Sequence, residues 1–497
     1  MTEVRPMRER PDRLDGVSVL ERSLKADLAV LDEFVADNTG AAAYAAPDGD
    51  RTFEVPARAA DPLNAWLSRC SFSGKGKGLL SGTTVSFKDT IAVAGLPLSG
   101  GAIGLEEYRP DFDATVVRRA LAAGATVVGK NAVVGGFGEG DPGRRPLNPY
   151  APDHLTGGSS AGCAVAVVAG DVDVAFGGDQ GGSVRIPAAW CGAVGLKPTF
   201  GLVSHFGVVS DADQILDHVG PITRTVEAAA TALQAVAGYD HLDPRQRREV
   251  PVDVNVLDGL TDGVAGVRIG LLTQGFAGAD TEVARLVTGA AGILCRAGAE
   301  IREVSIPDHR SALAAYFAVS IEAARVAGGP GPVGAGATAC YPESLVAALN
   351  KAWSRRDSGA EEYGRLISEA AWKHFDGRAY AVARNARFKF VNAYDRAFQD
   401  VDLLLMPTCL FTAPEFGRAD NGPADFHSSV HAMGMSNTLP FNYTGHPALA
   451  VPCGKADGLP VSLQLVGRQF DEALLLRAGY AFQHAVSFEE VTAVARR

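Results

Sequence analysis

Between Gly157 and Gly201 the chain reads GGSSAGCAVAVVAGDVDVAFGGDQGGSVRIPAAWCGAVGLKPTFG. Two glycine-serine clusters punctuate it: Gly157-Gly158-Ser159-Ser160 and Gly181-Gly182-Ser183. Paired glycines weaken any helix or strand, so they are kept where backbone must turn sharply or press close to a ligand. A serine there offers a hydroxyl, and neighbouring backbone N–H groups can point the same way. That combination is what acyl transfer requires, a nucleophile beside donors for a developing oxyanion. The segment Gly158-Ser159-Ser160-Ala161-Gly162 also satisfies G-x-S-x-G, which would make Ser160 the nucleophile of an α/β-hydrolase elbow. Such an elbow follows directly on a buried strand, whereas residues 149–156 (PYAPDHLT) read as loop.

Followed by Ile186-Pro187-Ala188 and Gly195-Leu196-Lys197-Pro198-Thr199, the two clusters closely resemble the amidase signature family. The resemblance implies a serine-serine-lysine triad. By position the lysine is Lys88 in Val85-Ser86-Phe87-Lys88-Asp89, the bridging serine is Ser159 and the nucleophile is Ser183. Ser159 and Ser183 stand at the family's spacing. The family also implies a cis peptide bond entering Ser159, and an oxyanion hole from the N–H groups of Gln180, Gly181, Gly182 and Ser183. Asp179 and Arg185 flank the nucleophile and are assigned to support of its loop.

A serine hydroxyl is a poor nucleophile near neutral pH until something takes its proton. No histidine sits in the signature loops. A lysine can serve as base when neutral, and burial favours the neutral amine. Bringing an amine from about 10.4 to about 7–8 requires roughly 4 kcal/mol of differential environment. Ser159 would then pass the proton of Ser183 to Lys88, and the resulting acyl-enzyme would be cleared by water. This mechanism calls for no metal and no cofactor. His427 and His431 stand four apart as helical zinc ligands do, but no glutamate follows the first. They read as surface or packing residues, and His446 as part of a pocket wall.

The elements that must hold these groups alternate in type. Strands are expected over Thr83–Ile91, Ala125–Gly129, Val172–Phe176, Val267–Leu272, Glu300–Ile306, Val401–Met406 and Leu463–Gly467. Helices are expected over Ala114–Ala123, Ser160–Ala169, Val226–Ala237, Glu282–Ala297, Pro342–Ala352 and Glu361–Phe398, with a Gly/Ala/Pro-rich loop at Ala327–Cys340. Ahead of them, Val17–Phe34 carries leucines at helical spacing, and Asp61–Cys70 suggests a second short helix. Ser73 to Gly78 (SGKGKG) reads as a flexible joint, without the spacing of a Walker loop. The expectation is an α/β protein with one mixed, largely buried sheet covered by helices. Residues 1–75 would form a helical N-terminal extension and residues 76–497 the catalytic domain.

Composition limits the partners. With 46 basic and 57 acidic residues the formal charge is −11, which argues against nucleic acid and against an anionic membrane face. The charged start MTEVRPMRERPDRLDG lacks the apolar core of a secretory signal, and no apolar run has the roughly 18 residues of a membrane span. Seven scattered cysteines without a CxxC read as reduced and mostly buried. A cytoplasmic enzyme acting on a small molecule is expected, and the resemblance points to a homodimer. Gln180 stands where the family more often has threonine. With the segments 442–449 (NYTGHPAL) and 463–468 (LQLVGR), this is similar to bacterial nitrile-pathway amidases that hydrolyse aryl and short aliphatic carboxamides. Alternatives are the same triad acting on a carbamate, hydrazide, cyclic amide or ester, or a glutamine-hydrolysing amidotransferase subunit that works with partner chains. A non-catalytic binding module is disfavoured by intact Lys88, Ser159 and Ser183.

Overall fold

A computed structural model describes residues 51–101, 105, 107–134, 144–209, 215–327, 348, 373–416 and 434–492. Their strands are β1 (Phe53–Glu54), β2 (Trp66–Ser73), β3 (Thr84–Lys88), β4 (Thr126–Asn131), β5 (Val174–Asp179), β6 (Val194–Lys197) and β7 (His218–Thr223), then β8 (Arg268–Leu272), β9 (Glu300–Val304), β10 (Leu403–Pro407), β11 (Ala448–Ala456) and β12 (Leu459–Gly467). They form one mixed sheet in the order β1-β2-β4-β3-β5-β7-β6-β11-β12-β10-β8-β9. The longer helices are α1 (Thr115–Ala122), α2 (Ala161–Ala169), α3 (Arg185–Cys191), α4 (Val226–Val236), α5 (Thr281–Arg296), α6 (Ala312–Ala327), α7 (Ala379–Asp400), α8 (Leu439–Thr444) and α9 (Glu472–His484). The α/β architecture is thus the one the alternation of elements implies, and no helix among the described residues is long and apolar enough to cross a membrane.

What places the signature segment is the sheet's interior. β3 runs parallel to both β4 and β5, with Phe87 opposite Phe176 and their rings stacked at 5.5 Å. Parallel neighbours end on the same edge, so Lys88 at the end of β3 emerges beside Gly178 and Asp179 at the end of β5. Ligands collect at such carboxyl ends in open α/β sheets. Between these strands in sequence, α2 (AGCAVAVVA) is buried from Ala161 to Val167 and packs with Ala175, Val184, Ala188, Cys191 and Ile222. A helix apolar on every side belongs in a core, and its small residues let it lie close to the sheet. A second core joins Leu404, Met406 and Val466 to Tyr394, Phe398 and Phe441, fixing α7 and α8 to the far half of the sheet.

Some local expectations are corrected. The segment expected to be helical over 61–70 is a turn up to Ala65 and then enters β2, which pairs with β1 and β4, so its second half belongs to the sheet. The outer half of β2 alternates half-buried and exposed residues, which is edge-strand behaviour that a short window mimics as a helix. The supposed joint at 73–78 is packed, not loose: a β-carbon on Gly76 would stand 2.0 Å from the carbonyl oxygen of Ala122. The glycine is there for close approach to the end of α1. The long helix expected from 361 is interrupted where Asp376 and Gly377 adopt φ of 49° and 73°, and α7 starts after them. The helices expected at 17–34 and 342–352 and the loop at 327–340 lie essentially outside the described residues, as do His427 and His431.

Candidate active site

Lys88 leaves β3 with 1% of its surface exposed and donates from Nζ to Ser159 Oγ at 2.6 Å and to the Gly178 carbonyl at 3.4 Å. The peptide bond from Gly158 to Ser159 is cis. Ser159 is anchored through its carbonyl, which accepts from Val134 N at 3.1 Å beyond the end of β4. Ser160 N donates to the Ser183 carbonyl at 3.2 Å and Ser160 Oγ to the Gly178 carbonyl at 3.1 Å. These bonds draw the two serine loops edge to edge. The hydroxyl of Ser160 is occupied inside this joint and fully buried, which removes it as an elbow nucleophile. Lys88, Ser159 and the Ser183 loop therefore meet at the carboxyl ends of β3 and β5.

The turn from β5 into α3 is held from beneath by an ion pair. Asp179 accepts from Gly182 N at 2.8 Å, Val184 N at 3.1 Å, Arg185 Nε and Nη2 at 3.0 Å each, and Asn442 Nδ2 at 2.8 Å. Burial alone would push this carboxyl up; the Arg185 guanidinium and the donors from Arg185 and Asn442 instead hold it well below the usual carboxylate range. Arg185, itself fully buried, also donates to Gln464 Oε1 at 2.9 Å, the Thr438 carbonyl at 3.1 Å and Asn442 Oδ1 at 2.6 Å. The ion pair is tolerated only because nearly every donor and acceptor is matched.

One expected donor is already engaged. The N–H of Gly182 points at Asp179, so within the Gln180–Ser183 run it braces the loop, and an incoming oxyanion would draw on its neighbours. Gly182 has φ of 131°, and a β-carbon there would stand 2.4 Å from Thr438 Oγ1. Only glycine fits that conformation and that contact. Beside Gly181 the space is bounded by Leu439 Cδ2 and Tyr316 Oη, part of an apolar cluster that includes Leu216, Phe317, Leu313 and Met435.

Several members of this arrangement escape the sequence. Asn442, Thr438 and Gln464 have no motif of their own, though Asn442 and Gln464 are polar residues in apolar runs, LPFNYT and LPVSLQLVG. His446, assigned to a pocket wall, is buried and bonds Thr444 Oγ1 and Asp395 at the α7–α8 contact. Asp217 and His205 carry no sequence signal either. His205 Nε2 and Gln180 Nε2 both reach Asp217 Oδ2, at 2.7 and 3.3 Å.

A family model described as "Amidase" matches residues 50–476. A glutamyl-tRNA(Gln) amidotransferase subunit of Halobacterium salinarum is 36% identical over 434 residues, covering 85% of this chain and 99% of that protein. An enantioselective amidase of Rhodococcus rhodochrous is 36% identical over 489 residues, covering 93% of this chain and 90% of that protein. Among solved structures, 6-aminohexanoate cyclic dimer hydrolase complexed with substrate superposes with a TM-score of 0.70 at 28% identity, over 85% of this chain and 87% of that one.

Proposed function

The chain belongs to the amidase family, and from that premise we propose that it hydrolyses a C–N bond, cleaving an aryl or short aliphatic carboxamide to carboxylate and ammonia. The observation carrying this reading is the 2.6 Å bond between buried Lys88 and Ser159 beside the Gly181-Gly182-Ser183 turn. Lys88, as the free amine, takes the proton of Ser159 while Ser159 takes that of Ser183. The Ser183 oxygen attacks the amide carbonyl. Backbone N–H groups of the Gln180–Ser183 turn meet the oxyanion, each such donor contributing about 2.7–4 kcal/mol to the lowering of the barrier. The relayed proton goes to the leaving nitrogen, and water then enters by the same route to release the acid. A small amide is the only partner this scheme needs, and no metal or cofactor enters it.

The surroundings of the turn favour an uncharged acyl group. The described side chains closest to Gly181 are the apolar Leu439 and the phenol of Tyr316, and the nearby Asp179 and Arg185 are committed to each other. The Rhodococcus amidase aligns over 93% of this chain and 90% of its own length, the archaeal amidotransferase protein over 85% and 99%, so coverage does not separate the two. Glutamine hydrolysis with partner chains is the second reading, because that amidotransferase protein matches at the same 36% identity.

Ammonia release from benzamide, short aliphatic amides and glutamine separates the two. Turnover of the first two without added partners is expected, and strict glutamine dependence would transfer the protein to the second reading. Ser183→Ala should abolish turnover with an unchanged circular dichroism spectrum and no acyl adduct by intact mass. Retained turnover would remove Ser183 as nucleophile.

A further inference from the structure

We infer that Asp217, held by His205, is the counter-charge to Lys88 and sets the pH at which the lysine becomes competent as base. The inference rests on the proposed role of Lys88 and adds a positioning residue to it. Asp217 immediately precedes β7, whose antiparallel register with β5 places His218 opposite Asp179 and Val219 opposite Gly178. The carboxylate of Asp217 is thereby brought to the foot of the oxyanion turn, where Gln180 Nε2 reaches its Oδ2. The point where a β-carbon on Gly178 would stand is 3.5 Å from Lys88 Nζ and 3.7 Å from Asp217 Oδ1. Amine and carboxylate thus face one small gap over a residue that has no side chain to separate them.

The chemistry gives that gap a use. When Lys88 receives the relayed proton, an ammonium forms at a site with almost no access to water, which is costly without an opposing charge. A fixed carboxylate across the gap stabilises the ammonium at the moment it forms and needs no reorganisation. His205 bonds Asp217 through Nε2 while its Nδ1 is buried without a partner, so the imidazole serves this carboxylate. The surrounding charges are matched elsewhere. Asp179 pairs with Arg185, Asp243 with Arg245, and Asp89 with Lys130. Arg245 Nη1 meets the Asp217 carbonyl at 3.2 Å. Burial keeps the His218 imidazole neutral and pushes the Cys163 thiol on α2 up to about 12.

The pH profile of kcat/KM tests this. Loss of the negative charge in Asp217→Asn makes the ammonium harder to form, so the acid limb should move to lower pH by about one to two units, with a reduced plateau. A loss of activity equal at all pH values, or an unmoved limb, overturns the inference. His205→Gln, which retains an N–H donor, should keep the limb in place, and His205→Leu should move it in the direction of Asp217→Asn. That pair decides the matter if Asp217→Asn does not fold. Lys88→Ala distinguishes the levels. Near-normal activity in Lys88→Ala sinks the proposed base itself, whereas an inactive Lys88→Ala with an unmoved limb in Asp217→Asn sinks only the role of Asp217.

Discussion

Replacing Arg185 by methionine exposes what the buried ion pair contributes. The substitution preserves approximate length but strips Asp179 of its cation while the carboxylate keeps the Gly182, Val184 and Asn442 donors. Both side chains are fully buried, so no water can replace the guanidinium, and removing one partner of such a pair costs about 3–5 kcal/mol. For a chain of this length the unfolding entropy is about 1 kcal/mol/K, so Tm should fall by about 3–5 °C. The sign with pH follows from the carboxyl's position. In the wild type it lies well below the usual carboxylate range, so its stabilisation is intact above the unfolded value and is lost only as pH falls through the folded one. In Arg185→Met the orphaned carboxylate protonates readily, so the stability gap to wild type should narrow between pH 8 and pH 5. Calorimetry of wild type, Arg185→Met and the double variant Asp179→Leu/Arg185→Met provides the cycle. The double variant should be at least as stable as Arg185→Met, because it buries no unpaired charge. A Tm within about 1 °C of wild type for Arg185→Met at pH 8, or simply additive losses in the double variant, would refute the reasoning. The activity readout is separate: a turn displaced by about 1 Å should lower kcat on the order of a hundredfold.

Two further outcomes concern groups away from the turn. His309 is buried between Tyr394 Oη and Asn437 Oδ1, and burial lowers its imidazole to about 4, so it takes up a proton on unfolding but not when folded. Stability from this group is full above about pH 6.5 and falls by about 3 kcal/mol as pH drops to 4; His309→Gln should flatten that part of the Tm–pH curve relative to wild type, and parallel curves would show that the imidazole does not titrate in this way. Cys295 is the exposed thiol among the described residues, whereas burial pushes Cys163 and Cys453 up to about 12. Cys295→Ser should remove one fast-reacting equivalent toward a disulfide reagent at pH 8, Cys163→Ser none, and the opposite result would contradict the packing of α2.

How much of this is readable from the sequence depends on range. For α1, β4, α2, β5, α4, β8, α5 and β9 the alternation of apolar runs and helical faces is legible, because each element's core-facing residues lie within one window of chain, whereas α3, β6 and β7 in the same span give no such pattern. Where a strand contains its own breakers, as in HVGPIT of β7, or alternates at a sheet edge, as in WLSRCSFS of β2, the pattern misleads or stays silent. The side chains of the site are legible only through family resemblance. Periodicity says nothing of a lysine at a strand end reaching a serine 71 positions later.

The partners of Arg185 show why that limit is physical. Asn442, Thr438 and Gln464 lie 257, 253 and 279 positions away and act through a carbonyl and two amides, groups whose chemistry is not distinctive. Yet they set the position of the Asp179–Arg185 pair, and Asp179 in turn fixes the N–H of Gly182 and Val184. The signature segment carries the proposed reactive atoms, but its turn is shaped by α8 and by β12 docking from the other half of the sheet. A turn braced in this way cannot reach its final geometry until long-range pairing is complete, when the entropy of closing those loops has been met. The fragment that carries the motif is therefore necessary for the chemistry and insufficient for it.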